Sequence, residues 1–265
     1  MRNTRIFADL EIRSGEPLLL PAAQSTHLLR VLRLRAGAAL TIFNGRGGEY
    51  AAELLGAAKS GAQLQIGAHD PVERESPLAL TLLQGVARGE RMDFIVQKAT
   101  ELGVQRIVPM SCEFSVVRLD AAALRRRTEH WRAVAIAACE QCGRNRLPVI
   151  DTISDFDAAC AAVASAVAIA AAGAGAGTGD GSAAVTELRL MLVPQAPDTL
   201  AALAAGLRSA VLLVGPEGGL SGREQLLAQR AGFRACRLGP RILRTETAPL
   251  AALAVLQATA GDLGR

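Results

Sequence analysis

Leu212-Leu213-Val214-Gly215-Pro216-Glu217-Gly218-Gly219-Leu220-Ser221 decides the fold, together with Leu238-Gly239-Pro240-Arg241-Ile242-Leu243-Arg244-Thr245-Glu246-Thr247-Ala248 further on. In each stretch an apolar strand runs into a loop of glycine, charge and hydroxyl groups, and a helix follows. Glycine lets a backbone approach a ligand closely and take positive φ. Loops at the carboxyl ends of neighbouring strands are where α/β sheets bind small ligands. Ser221-Gly222-Arg223-Glu224 has the spacing of a capping box, so Ser221 is expected to start the next helix and not to act in catalysis. No Gly-Lys-Ser/Thr follows the glycine loop, and the loop is not G-x-G-x-x-G. Both nucleotide-binding fingerprints are therefore set aside.

Outward from these loops, the chain alternates strands and helices. Leu188 to Val193, Ala210 to Val214 and Arg234 to Leu238 read as strands, as do Leu78 to Leu83 and Arg106-Ile107-Val108. Met92, Ile95, Val96, Ala99 and Leu102 recur at i, i+3, i+4, i+7 and i+10, one face of a helix that Gly103 can close. A long helix is expected from Ala121 to Cys142, capped by Gly143. Such an order implies a mostly parallel sheet covered on both faces, an α/β fold. Residues 1–72 read differently. Leu18-Leu19-Leu20-Pro21, Ala39 to Phe43 and Glu49 to Leu55 are strand-like, Asn44 to Gly48 is a turn, and Gln24 to Leu34 forms a short helix. Many short strands in so small a span point to a barrel. Two domains are expected, 1–72 and 73–265, with a low-complexity Ala/Gly insertion at 172–187 that has too much backbone entropy to order.

Composition bounds the function loosely. Half of the 265 residues are hydrophobic, which is ample for a core, and aromatics make up only 3%. So few rings exclude an RNA reader built on rows of stacking side chains. A net charge of +4 is compatible with a polyanionic partner without requiring one. No long apolar run resembles a membrane span, and Met1-Arg2-Asn3-Thr4-Arg5 lacks the core of a signal peptide, so a cytoplasmic protein with reduced cysteines is expected. Cys139 and Cys142 form a C-x-x-C, but no second pair stands at ligand spacing and His27, His69 and His130 are scattered. They read as packing residues, and no metal site is expected.

The two loop motifs resemble the paired signature of the bacterial 16S ribosomal RNA uracil-N3 methyltransferases, a branch of the trefoil-knotted SPOUT class. Gln97-Lys98-Ala99-Thr100-Glu101-Leu102-Gly103-Val104, Ile107-Val108-Pro109 and Glu140-Gln141-Cys142-Gly143-Arg144 also fit, as do His27 to Arg33 and Gly45 to Tyr50. The resemblance covers nearly the whole chain. It implies a knotted methyltransferase domain behind a PUA-like RNA-binding barrel, with S-adenosylmethionine as cofactor. It also implies 16S rRNA or the assembled small subunit as substrate, and a homodimer. The helix Pro249 to Thr259, apolar on more than one face, is a reason within the sequence to expect such a partner.

Carried onto this sequence, the resemblance assigns the cofactor to Val193, Pro194, Gly215, Glu217, Gly219, Leu238, Gly239, Leu243, Thr247 and Ala248. Arg244 and Glu246 become the catalytic pair, the first stabilising charge on the base, the second orienting the cofactor or assisting proton removal. Arg30, Arg33, Arg46, Arg144 and Arg241 become RNA contacts. Lys98 and Glu101, three apart on a helix, join the site or pair with each other. One position departs: in Ser111-Cys112-Glu113-Phe114-Ser115, phenylalanine stands where the family has arginine. Rival readings are another SPOUT methyltransferase, acting on a ribose 2′-hydroxyl or on transfer RNA, and a non-catalytic RNA-binding assembly factor.

Overall fold

A computed structural model describes residues 4–58, 61–115, 121–163 and 187–264. The insertion expected at 172–187 lies outside them as far as residue 186, and Glu187 already opens a strand. The chain divides into two compact units, Met1–Glu75 with Ile136–Leu147, and Ser76–Ala135 with Pro148–Arg265. The end of the long helix, expected in the second domain, thus groups with the first.

In the first unit, β1 (Thr4–Phe7), β2 (Pro17–Leu19), β3 (Ala39–Phe43), β4 (Glu49–Ala58) and β5 (Gly61–Asp70) form one sheet in the order β1-β3-β4-β5-β2. Only the β1–β3 pair is parallel. Side chains alternate across a strand, so Ala62, Leu64 and Ile66 of β5 are buried while their neighbours reach solvent. They meet Ile6, Leu28, Leu40, Ile42 and Leu54 in one core. The helix expected over Gln24 to Leu34 is an α-turn, Ala22–Thr26, continued by a π-turn, His27–Val31, after which Arg33 takes φ 54°.

The Glu140–Arg144 motif closes this unit on itself. Glu140 accepts the Phe7 N–H at 2.9 Å. Asn145, fully buried, accepts from Arg5 at 2.7 Å and donates to the Val72 carbonyl at 2.8 Å. For Arg144, an expected RNA contact, the structure corrects the sequence. Its side chain is 5% exposed, and its guanidinium grips Glu75 through two bonds of 2.9 and 2.6 Å. Burial alone would lower its pKa, but the Glu75 hydrogen bonds and charge outweigh that and raise it. A guanidinium so occupied has no fork left for a phosphate. Cys139 packs with Phe7 and Phe43, and burial pushes its thiol up to about 12.

The second unit is built on a seven-stranded sheet. Its main path runs β12 (Arg234–Cys236), β10 (Glu187–Leu192), β11 (Ser209–Val214), β6 (Ala79–Gly85), β7 (Arg106–Ser111) and β8 (Val149–Ile150), and the short β9 (Ser154–Asp155) also pairs with β7. Every pairing is parallel. Leu80, Leu82, Ile107, Leu190 and Leu212 face one side, where they meet Ile95 and Val96 of helix Arg91–Glu101, Trp131 of helix Ala121–Cys142, and Leu253 and Leu256 of helix Thr247–Ala260. Leu83, Val108, Met110, Met191 and Leu213 face the other, against Phe156 and Cys160 of a helical run at 156–163 and Ala228 of helix Gly222–Arg230. Both faces are covered, which is why these strands are almost continuously apolar. Helix Thr247–Ala260 finds much of its cover inside its own unit. Its Gln257, fully buried, donates to the Leu102 carbonyl and accepts from Ser76, each at 2.7 Å.

Candidate active site

Strands β11, β10 and β12 are consecutive neighbours, so their carboxyl ends deliver three loops side by side. Val193 to Gln195, Val214 to Leu220 and Leu238 to Ala248, with Arg91, surround a cavity of about 670 Å³, within the usual range for a small-molecule site. Of the expected cofactor residues, Val193, Pro194, Gly215, Glu217, Gly219, Leu238, Gly239, Leu243 and Ala248 line it, together with Arg241, Arg244 and Glu246. Thr247 does not. It is exposed as the first residue of its helix, its N–H bonded to the Arg244 carbonyl at 2.9 Å.

The glycine loop is shaped by a turn in which the Gly219 N–H reaches the Pro216 carbonyl at 2.9 Å, leaving Gly219 at φ 72°. A Cβ there would meet nothing within 4 Å. Glycine is required for the backbone angle, and the space beside it is open. Thr245, buried, donates to the Gly215 carbonyl at 3.2 Å and ties the two long loops together. Ser221 caps helix Gly222–Arg230 in a full capping box, accepting from Glu224 N–H at 3.2 Å while Glu224 accepts the Ser221 N–H at 2.8 Å. Its hydroxyl is committed to that cap, as the spacing led us to expect.

The charged groups are held unequally. Glu217 accepts the Arg88 N–H at 3.0 Å and Arg91 Nη1 at 2.7 Å. Burial pushes its pKa up, but these hydrogen bonds and the arginine charge prevail, and the net shift is downward. Arg91 also lies 3.7 Å from Glu246, so one guanidinium stands between two carboxylates. The Glu246 oxygen nearest Arg91, Oε2, is buried and has no hydrogen-bond partner among the described residues. Arg244 reaches the other Glu246 oxygen only at 4.0 Å, and its side chain is 81% exposed. An acceptor held out of water with nothing donating to it is costly to keep, and a catalytic role is one reason a protein keeps one. Glu246 also precedes the first turn of helix Thr247–Ala260, where negative charge is favoured.

Arg91 is the residue that reading the sequence missed. Its partners stand 126 and 155 positions away, and nothing local to Glu90-Arg91-Met92 announces them. Lys98 and Glu101 bond to each other at 2.8 Å, an ordinary helix-surface pair. In the first unit, Arg30 and Arg33 are exposed, and Arg46, 68% exposed, lies 3.9 Å from Asp9. No group of three or more metal-ligating side chains exists among the described residues, and no helix among them is long and apolar enough to cross a membrane.

Comparison with known proteins places this geometry. Residues 74–257 match the model of an RNA methyltransferase domain, and residues 20–67 that of an RNA methyltransferase PUA domain. The chain is 29% identical to the ribosomal RNA small subunit methyltransferase E of Buchnera aphidicola over 99% of this chain and 98% of that protein. It is 32% identical to the enzyme of the same name from Synechocystis, over 90% of this chain and 72% of the other. The crystal structure of ribosomal RNA small subunit methyltransferase E from Neisseria gonorrhoeae bound to S-adenosyl methionine superposes with a TM-score of 0.83 at 34% identity, covering 99% of this chain and 100% of that one. A methyltransferase from Legionella pneumophila in complex with the bound cofactor gives 0.87 at 35% identity over the same shares. The chain belongs to the RNA methyltransferase family, among the ribosomal RNA small subunit methyltransferases E.

Proposed function

We propose that this protein transfers the methyl group of S-adenosylmethionine to N3 of a specific uridine in the 16S ribosomal RNA of the small subunit. The observation that carries this reading is one cavity lined both by the open Gly219 and by Glu246, whose buried Oε2 has Arg91 at 3.7 Å but accepts no hydrogen bond among the described residues. The residues fit the cofactor. Leu192, Leu238 and Leu243 offer apolar cover for a base, the loop backbones supply amides and carbonyls, and Glu217 and Glu246 favour a cationic ligand. When bound, S-adenosylmethionine supplies an electrophilic methyl on a positively charged sulfur.

The chain's own residues do the rest. Methylation at N3 requires loss of the imide proton, and Glu246 Oε2 is the acceptor that receives it. Arg91 holds that carboxylate in place and fixes Glu217 beside it. Arg244, exposed and only loosely paired, turns to the negative charge that develops on the base oxygens. Holding the reactants in line removes much of the entropic barrier. Arg30, Arg33 and Arg46 of the first unit contact phosphates, and Arg241 adds a contact at the cavity. The enzyme works in the cytoplasm as a homodimer.

Nucleoside mapping by mass spectrometry of 16S rRNA from a strain lacking the gene tests this. One N3-methyluridine should disappear and return when the gene is restored. Loss of a ribose 2′-O-methyl group or of a transfer-RNA methyl group would overturn the target. Binding of S-adenosylmethionine with no methyl transfer to small subunits would make the protein a binding factor.

A further inference from the structure

Phe114 is 52% exposed, yet its turn is held by several hydrogen bonds. Its turn is closed by the Ser115 N–H on the Cys112 carbonyl at 2.9 Å and the Cys112 N–H on Ser115 Oγ at 3.0 Å. The Glu113 N–H donates to Glu224 at 2.8 Å, the same buried carboxylate that serves the Ser221 cap. The Glu113 carboxylate accepts Arg223 Nε at 2.7 Å. These bonds fasten the turn to the start of helix Gly222–Arg230, directly beyond the glycine loop. The side chain then lies on that loop. A Cβ added at Gly218 would stand 2.6 Å from Phe114 Cβ, so glycine there is what lets the phenylalanine seat. Gly218 lines the cavity, and among the described residues no aromatic side chain does.

The fold therefore pins a large apolar ring in solvent, beside the wall of a site that must receive a base. Enzymes that modify a base take it out of its stack, which also strips a stacking partner from the bases beside it. Every base has a face that an aromatic ring can cover, whatever the sequence. We infer that Phe114 stacks on a base of the RNA at the cavity mouth, replacing the partner that the methylated uridine leaves. Because the ring lies outside the cavity lining, the base it holds is a neighbour of the methylated one. This inference rests on reading the chain as a ribosomal RNA methyltransferase.

Phe114→Leu keeps the apolar contact with Gly218 and removes the ring. Phe114→Trp keeps a ring and adds a fluorophore, while Trp131, buried, supplies a steady background. With small ribosomal subunits from the deletion strain as substrate, Phe114→Leu should raise KM roughly ten-fold. Its affinity for S-adenosylmethionine and its melting temperature should match the parent. Phe114→Trp should restore KM, and its added fluorescence should be quenched when subunits bind. Wild-type KM in Phe114→Leu, or no quenching in an active Phe114→Trp, would overturn the stacking role and leave the enzymatic reading intact. Absence of methyl transfer by the wild-type protein would overturn both.

Discussion

The turn Asn44–Gly48 of the first unit and the loop Gly215–Gly219 of the other are similar as sequence, each a glycine cluster at the end of a strand. The first is filled, whereas in the second Gly215 and Gly218 are packed and Gly219 stands open. A Cβ at Gly47 would run into Glu73, and one at Gly48 into His69 and, at 2.8 Å, the Asp70 carbonyl. Gly219 and Gly239 have nothing within 4 Å of that position. The arginine–glutamate pairs of the two units divide the same way. Arg144 and Glu75 are closed at 2.6 Å with both side chains largely buried. Arg244 and Glu246 stand 4.0 Å apart, and the other carboxylate oxygen, buried, has only Arg91 at 3.7 Å and accepts no hydrogen bond among the described residues. Filled cradles and closed pairs belong to folding. Open ones leave free energy to be gained by a ligand.

The sharpest way to break this contrast is to fill the open cradle. Gly219→Val places a branched side chain at a positive φ on the cavity wall, where a Cβ has nothing within 4 Å. Binding of S-adenosylmethionine should fall below detection by calorimetry, and unchanged affinity in a folded protein would mean the cofactor lies elsewhere. Next is the closed pair. Arg144→Ala leaves Glu75 buried without its partner, which should cost about 3–5 kcal/mol of stability and lower Tm by roughly 10 °C. The folded fraction should keep its methylation rate, and a normal Tm with a lost rate would return Arg144 to the site.

Smaller effects sharpen the comparison from the RNA side. Replacing Arg30, Arg33 and Arg46 together with alanine should weaken RNA binding. It should also flatten the dependence of log affinity on log salt by up to about three units, one per phosphate contact. Loss of cofactor affinity instead would show that these arginines do not touch RNA. The smallest effect concerns pH. The Glu217 pKa is depressed in the folded protein, so its pairing stabilises the loop above the ordinary carboxylate range and fades as pH falls through the depressed value. The group is about one-third exposed, so its worth is under about 1 kcal/mol. Melting of Glu217→Gln against the parent should differ near neutral pH and converge on acidification. A gap that widened in acid would contradict the pairing.

Much of this architecture was legible because its signals are local. The apolar runs of β6, β10 and β11, the i, i+3, i+4 face of helix Arg91–Glu101, and the Ser221–Glu224 box are each set within a few residues. The loop motifs were legible as a site for the same reason. What escaped depends on partners far along the chain. Arg144 follows a helix cap, and only the fold brings Glu75 to it across 69 positions. Helix Ala121–Cys142 has one continuous pattern, which cannot say that its residues from Ile136 onward pack with another unit. Arg91 sits in an ordinary first turn, and Thr247 matches a motif while standing outside the wall that the motif builds. Arg33 at positive φ has no glycine or asparagine to announce it.

The contrast stands or falls on Arg244 and Glu246. Single-turnover methyl transfer to small subunits from the deletion strain, measured with Arg244→Ala and Glu246→Gln beside thermal melting of the same preparations, tests it directly. The expected result is a rate for Arg244→Ala on the order of a hundred-fold below wild type, a comparable loss for Glu246→Gln, and melting temperatures within about a degree or two of the parent. Wild-type rates in proteins that melt several degrees lower would contradict it, and would make this pair another closed element of the fold.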